Sequence, residues 1–94
     1  MKIVECLWKD QFVEKLAQKH QVSIDEVEEV FRNKPRFSFI AKGKVASEDV
    51  YWALGQTDAG RYLTIFFIYK GDGIAMPISA RDMNAKERKC YGKK

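Results

Sequence analysis

An apolar run ending in Ile78-Ser79-Ala80 gives way at Arg81 to a strongly basic tail. From residue 81 onward six Lys/Arg (Arg81, Lys86, Arg88, Lys89, Lys93, Lys94) stand against two acids, Asp82 and Glu87, and that surplus of four equals the net charge of the 94-residue chain, +4. The positive charge is therefore concentrated in one place, as suits a polyanionic or acidic partner. Arginine is the side chain best shaped for phosphate, because its planar fork pairs with two oxygens and stays ionised. Arg81 closes one apolar run and Arg61 opens another, so both are candidates for that work, with Lys86, Arg88 and Lys89 adding field around a bound phosphate. His20 is the only histidine, and an unperturbed imidazole titrates where an acid or base catalyst must work.

Each of these residues also has a plainer use. His20 ends the apolar stripe of a helix and suits a packing or capping role. Arg61 follows a hairpin glycine and can be a solvated strand start, while Arg81 can pair with Asp82, Glu48 or Asp49. The basic run can be a solvated helix face. Tyr51, Trp52 and Tyr69 can stack bases, although strand aromatics usually serve a core.

The elements that would position these groups follow from periodicity. Ile3 to Trp8 reads as a first strand, and Asp10 offers an N-cap to a helix of about three turns carrying Phe12, Val13, Leu16, Ala17 and His20 on one face. Ser23 and Glu26 form a capping box, Val22 and Val27 occupy the staple positions, and Asn33-Lys34-Pro35 stops this second helix. Ile24, Val27 and Phe31 face its core side; Asp25, Glu26, Glu28 and Glu29 form an acidic outer face. The period then turns extended: Phe37 to Ala41, a Lys42-Gly43-Lys44 turn, Val50 to Leu54, an Asp58-Ala59-Gly60 hairpin, Tyr62 to Tyr69, a Lys70-Gly71-Asp72-Gly73 hairpin, and Ile74 to Ala80. Tyr62 to Tyr69 is apolar on both faces, which predicts a central strand covered twice. Pro77 removes a ladder donor and predicts an edge or a bulge in its strand. Asn84 and Glu87 begin a terminal helix with a second capping box, Met83, Cys90 and Tyr91 on one side and Lys86, Lys89 and Lys93 more outward. Helices, then an antiparallel meander, then a basic helix make an α+β fold, with residues 1–94 as a single domain.

Composition excludes several classes. Aromatics at 13% and hydrophobics at 46% argue against disorder. Glu5 interrupts any leader-like stretch, and no apolar run approaches a membrane span. Cys6 and Cys90 lack metal-site spacing and read as two free thiols of a reducing cytoplasm, with no metal or cofactor implied.

Several stretches together resemble the BrnT toxins: Trp8-Lys9-Asp10, Lys19-His20-Gln21-Val22-Ser23, Val30-Phe31, Trp52-Ala53-Leu54-Gly55-Gln56-Thr57, Gly60-Arg61-Tyr62-Leu63-Thr64-Ile65, Ile78-Ser79-Ala80-Arg81, and Lys86-Glu87-Arg88 before Tyr91. The resemblance covers nearly the whole chain. It implies a RelE-like domain acting as the toxic half of a type II toxin–antitoxin pair. Such a toxin cuts RNA, free or on the ribosome, to halt translation, and a ribbon-helix-helix antitoxin of the BrnA kind neutralises it in a hetero-oligomer. Metal-free RNA cleavage has three tasks: taking the 2′-OH proton, stabilising phosphate charge and protonating the leaving oxygen. For these tasks the side-chain chemistry offers Arg61, Arg81 and His20 as catalytic candidates and Lys86, Arg88 and Lys89 for holding RNA. The chain departs from the family pattern where basic residues are usual, at Val50, Gln56 and Ala75-Met76-Pro77. Those departures support a second reading, a toxin-fold protein that binds antitoxin or RNA without cleaving it.

Overall fold

The extended half of the chain builds a five-stranded sheet in the computed structural model, which describes residues 1–43 and 48–92. Strands β2 (Arg36–Ala41), β3 (Val50–Gln56), β4 (Tyr62–Gly71) and β5 (Ile74–Asp82) form the antiparallel meander that alternation and glycine turns predict. A short β1 (Glu5–Cys6) pairs parallel with β5, so the sheet is mixed, in the order β1-β5-β4-β3-β2. The first strand is shorter than its apolar run because it meets only the start of β5. Val4 N–H donates to Gly73 O and Leu7 N–H to Ala75 O, both at 2.8 Å, and the chain enters a helix at Asp10. Lys44 of the expected turn and Lys93 and Lys94 of the basic tail lie outside the described residues.

Helix α1 (Asp10–Lys15) starts one residue earlier than expected, with Lys9 at the cap position and no side-chain cap. Asp10 instead lies in the first turn, where its charge suits the positive helix end. The helix does not run on evenly. It widens into a π-helical turn, Leu16–His20, and stops on Gln21, left-handed at φ 53°. Helix α2 (Ile24–Arg32) carries the full Ser23–Glu26 capping box, at 3.1 and 3.0 Å, with both staple residues, Val22 and Val27, buried.

The acidic outer face of α2 is largely spent on internal bonds. Only Asp25 is exposed. Glu26 accepts from Arg61, Glu28 from Trp8 Nε1–H and Glu29 from the Asp58 N–H.

Leu16, Val27, Val30 and Phe31 pack on Ala53, Leu63, Ile65 and Phe67 to form the core between helices and sheet. The second face of β4 is covered at one end only. Helix α3 (Ala85–Tyr91) has seven residues, and Met83 and Tyr91 close over Leu54 while Phe66 and Ile68 stay half-buried. Pro77 sits beside an irregularity, since Phe66 pairs with Ser79 but Phe67 with Pro77, leaving Ile78 as the extra residue of a bulge.

Gly55 lies buried in β3 because α2 and the turn after it approach closely. A Cβ there would stand 2.8 Å from Val30 Cγ1 and 3.2 Å from Pro35 Cβ. Gly55→Ala is expected to lower stability by about 1–3 kcal/mol, the usual cost of overpacking. Urea unfolding measures it, and an unchanged midpoint would contradict this close contact.

Candidate nucleic-acid interface

Strand alternation sends the adjacent residues Arg81 and Asp82 to opposite faces of the sheet, opposite Thr64 and Leu63 respectively. Two charge clusters result, one on each side of the same strand end.

The first lies under α3. Its capping box brings Glu87 back over the strand: Glu87 N–H donates to Asn84 Oδ1 at 2.8 Å, and Asn84 N–H to Glu87 Oε1 at 2.9 Å. The same carboxylate takes a bidentate grip from Arg81, Nη1 to Oε1 at 2.6 Å and Nη2 to Oε2 at 2.7 Å, and a third partner in the Thr64 hydroxyl at 2.9 Å. Glu87 is 4% exposed and Thr64 is fully buried. Burial alone would favour the neutral acid, but the Arg81 fork outweighs it and holds the Glu87 carboxyl below its ordinary range. Glu87 in turn raises Arg81. Arg81 also donates to the Asp82 carbonyl at 3.2 Å and lies 5.4 Å from the centre of the Phe66 ring.

The second cluster faces the helices. Arg61 reaches Asp82 through Nε and Nη2, Glu26 and the Gln21 carbonyl through Nη1, and the His20 carbonyl through Nη2. All five guanidinium N–H groups are thereby engaged. The carbonyls it satisfies are those at the end of the π-helical turn, which have no intrahelical donor. Arg61 holds Asp82 below the usual carboxylate range. His20 is half-buried at this end and adds a weaker favourable field to Asp82.

The expected grouping of Arg61, Arg81 and His20 is therefore divided: Arg61 and His20 share the helix-bearing face, and Arg81 stands on the other with the basic helix. Lys86, Arg88 and Lys89 are all exposed on α3. The Arg88 guanidinium lies 4.1 Å from the centre of the Tyr62 ring, which itself packs edge-on to Tyr91. Beyond α3 the uncovered part of this face carries Trp52 and Phe66, ring centres 6.4 Å apart, with Arg81 over the latter. A half-open sheet face with aromatic rings and a cationic rim is suited to a single-stranded polyanion, rings meeting bases and cations meeting phosphates. Sequence reasoning missed Glu87 as the partner of Arg81. Its signal was the capping box itself, which turns the third helical residue back towards the strand end. Among the described residues no three His, Cys, Asp or Glu side chains group to hold a metal ion, and no helix is long and apolar enough to cross a membrane.

Comparison with known proteins gives two findings. The family described as ribonuclease toxin, BrnT, of type II toxin–antitoxin system matches residues 8–87. The crystal structure of the Brucella abortus ribonuclease toxin, BrnT, is similar in fold, with a TM-score of 0.59 at 16% identity, over 86% of this chain and 97% of that one. No curated protein matches significantly in sequence.

A depressed carboxylate pKa has a defined pH signature. The stabilisation by Glu87 is complete above the unfolded value, about 4.3, and is lost as pH falls through the lower folded value. The urea midpoint should fall between about pH 5 and pH 2, and Glu87→Gln should flatten that fall. An equally steep fall in the variant would place the acid sensitivity in other carboxylates.

Proposed function

Because the chain belongs to the family of BrnT ribonuclease toxins of type II toxin–antitoxin systems, we propose that it is a cytoplasmic endoribonuclease that cleaves messenger RNA without a metal and so inhibits translation. The family match over residues 8–87 carries this reading. The placement of the cationic helix beside an open aromatic face supports it. Three of the five Arg81 N–H groups are spent on Glu87 and the Asp82 carbonyl, leaving Nε and one Nη2 N–H for a phosphate oxygen. Lys86, Arg88 and Lys89 would track the RNA backbone. Arg61 on this reading acts behind the strand, holding the end of β5 and, through the His20 and Gln21 carbonyls, the end of the π-helical turn, and His20 lies on that same face, away from α3. On this reading the domain is one of the RelE-like ribonucleases.

A second reading has its own observation. Arg81 is already neutralised by a buried carboxylate, and Val50, Gln56 and Ala75-Met76-Pro77 stand where the family's basic residues are usual. A protein that binds RNA or antitoxin without cutting would have this character. Incubation with RNA in chelator, with and without ribosomes, separates the two, since intact RNA from a folded protein leaves only binding.

Arg81→Ala would strand Glu87, so Arg81→Lys is the better probe: it keeps charge and loses the fork. Cleavage is expected to fall by about 10²-fold or more, the usual effect of removing a preorganised donor. A parental rate in a folded Arg81→Lys protein would exclude Arg81 from the chemistry. Reversing Lys86, Arg88 and Lys89 to glutamate should weaken RNA binding and reduce its log–log salt slope by about 2, at about 0.7 per neutralised phosphate.

The family implies an antitoxin partner, and we propose a ribbon-helix-helix protein of the BrnA kind whose acidic segment competes with RNA for α3. The same triple reversal should then slow antitoxin association at low salt, with the difference fading at high salt. Stopped-flow rates measure this, and unchanged rates would mean that the antitoxin docks away from α3.

A further inference from the structure

A large concavity among the described residues lies on the helix-bearing side, where the N-terminal segment passes the end of α2 and the start of β2. It encloses about 680 Å³ over a floor of Ile3, Phe31, Pro35 and Phe37. Lys2, Arg32 and Lys34 line its rim, all three exposed. None of the ion pairs among the described residues uses these cations. A second cavity of about 300 Å³ shares Ile3, Phe31 and Arg32 with it, so the two form one trough. Glu5 and Glu28 line the far end of that trough. Arg36, between Pro35 and Phe37, points to the opposite face, where it donates to the Cys90 carbonyl at 3.0 Å. The trough and the α3 surface are therefore on different faces of the sheet.

We propose that this trough docks an extended segment of a partner protein with an acidic end, large apolar anchors in the middle and a basic end. The occupant follows from the charges. The cationic rim selects the acidic end, the apolar floor selects the anchors, and Glu5 and Glu28 select the basic end and fix the direction. A nucleic acid fits poorly, since Phe31 and Phe37 stack on each other and pack edge-on to Phe67, and phosphates would meet Glu5 and Glu28. A trough-to-trough pairing with a second copy fits poorly as well, because two concave surfaces cannot fill one another. Cys6 at the acidic end takes no covalent part, for burial followed by Glu28 and Glu5 push its thiol up to about 12. Lys2, Ile3 and Glu5 precede the family match while Glu28, Phe31, Arg32, Lys34, Pro35 and Phe37 lie within it, and the trough shares no residue with the α3 surface on which the ribonuclease reading rests.

The test is an NMR titration of the isotope-labelled full chain with a short synthetic peptide of acidic, leucine- and phenylalanine-bearing and lysine-ended sequence. A control peptide of identical composition has its charged ends exchanged. Expected are amide shifts at Lys2, Arg32, Lys34 and Phe37, affinity about tenfold or more above the control, and loss of binding in folded Arg32→Glu/Lys34→Glu. An RNA oligomer should leave the peptide bound. Shifts confined to α3, equal affinity for the exchanged peptide, displacement by RNA, or concentration-dependent shifts without peptide would each overturn the proposal.

Discussion

A carboxylate removed from water must be neutralised or fully bonded, and Glu87 meets that requirement by drawing three elements together. Four donors converge on it: both arms of Arg81 from β5, the Thr64 hydroxyl from β4 and the Asn84 N–H at the start of α3. A helix of seven residues has little stability of its own. Its position over Leu54, and with it the placement of Lys86, Arg88 and Lys89, depends on this junction. Removing Arg81 leaves the buried Glu87 charge behind, a loss that in fully buried pairs costs about 3–5 kcal/mol and is smaller here because Arg81 is itself partly exposed. The pair therefore acts more as a register device for α3 than as a source of net stability.

The other side of the strand repeats the arrangement with the signs exchanged. There the central group is a cation, Arg61, and the acceptors are Asp82, Glu26 and the last carbonyls of the π-helical turn. The end of β5 is gripped from both faces, and the helical layer is tied to the sheet by the same contacts. Both grips consume acids and arginines together. The positive charge left facing outward on the described tail is consequently that of Lys86, Arg88 and Lys89, a narrower patch than the basic run in the sequence suggests.

What could be read from the sequence was local chemistry. Both capping boxes involve residues three apart, Ser23 with Glu26 and Asn84 with Glu87, so spacing alone reveals them. The meander was legible because Gly60, Gly71 and Gly73 adopt the positive φ that its hairpins need. The parallel pairing of β1, the use of Glu26, Glu28 and Glu29 as internal acceptors, and the Arg81–Glu87 pair all depend on segments meeting across the fold. Periodicity along one element carries no signal for these. The half-covered second face of β4 escaped for a different reason: an apolar pattern on Tyr62, Phe66 and Ile68 is the same whether a helix or a ligand covers it, and only the length of α3 decides.

That uncovered face brings two demands on Arg81 into one place. As the partner of Glu87 it is immobile and largely neutralised, which lowers its pull on a distant phosphate. Immobility is also what an electrostatic catalyst requires, since a donor already aimed costs no reorganisation when charge develops. On the proposed reading these roles are compatible if long-range attraction comes from Lys86, Arg88 and Lys89 and Arg81 supplies only direction. The helix-bearing face lacks that division of labour, because its arginine at this strand end, Arg61, has every N–H engaged by Asp82, Glu26 and backbone carbonyls and none left for a phosphate. On the proposed reading RNA is therefore drawn to the α3 side by attraction to Lys86, Arg88 and Lys89, and the preference does not rest on repulsion behind the sheet.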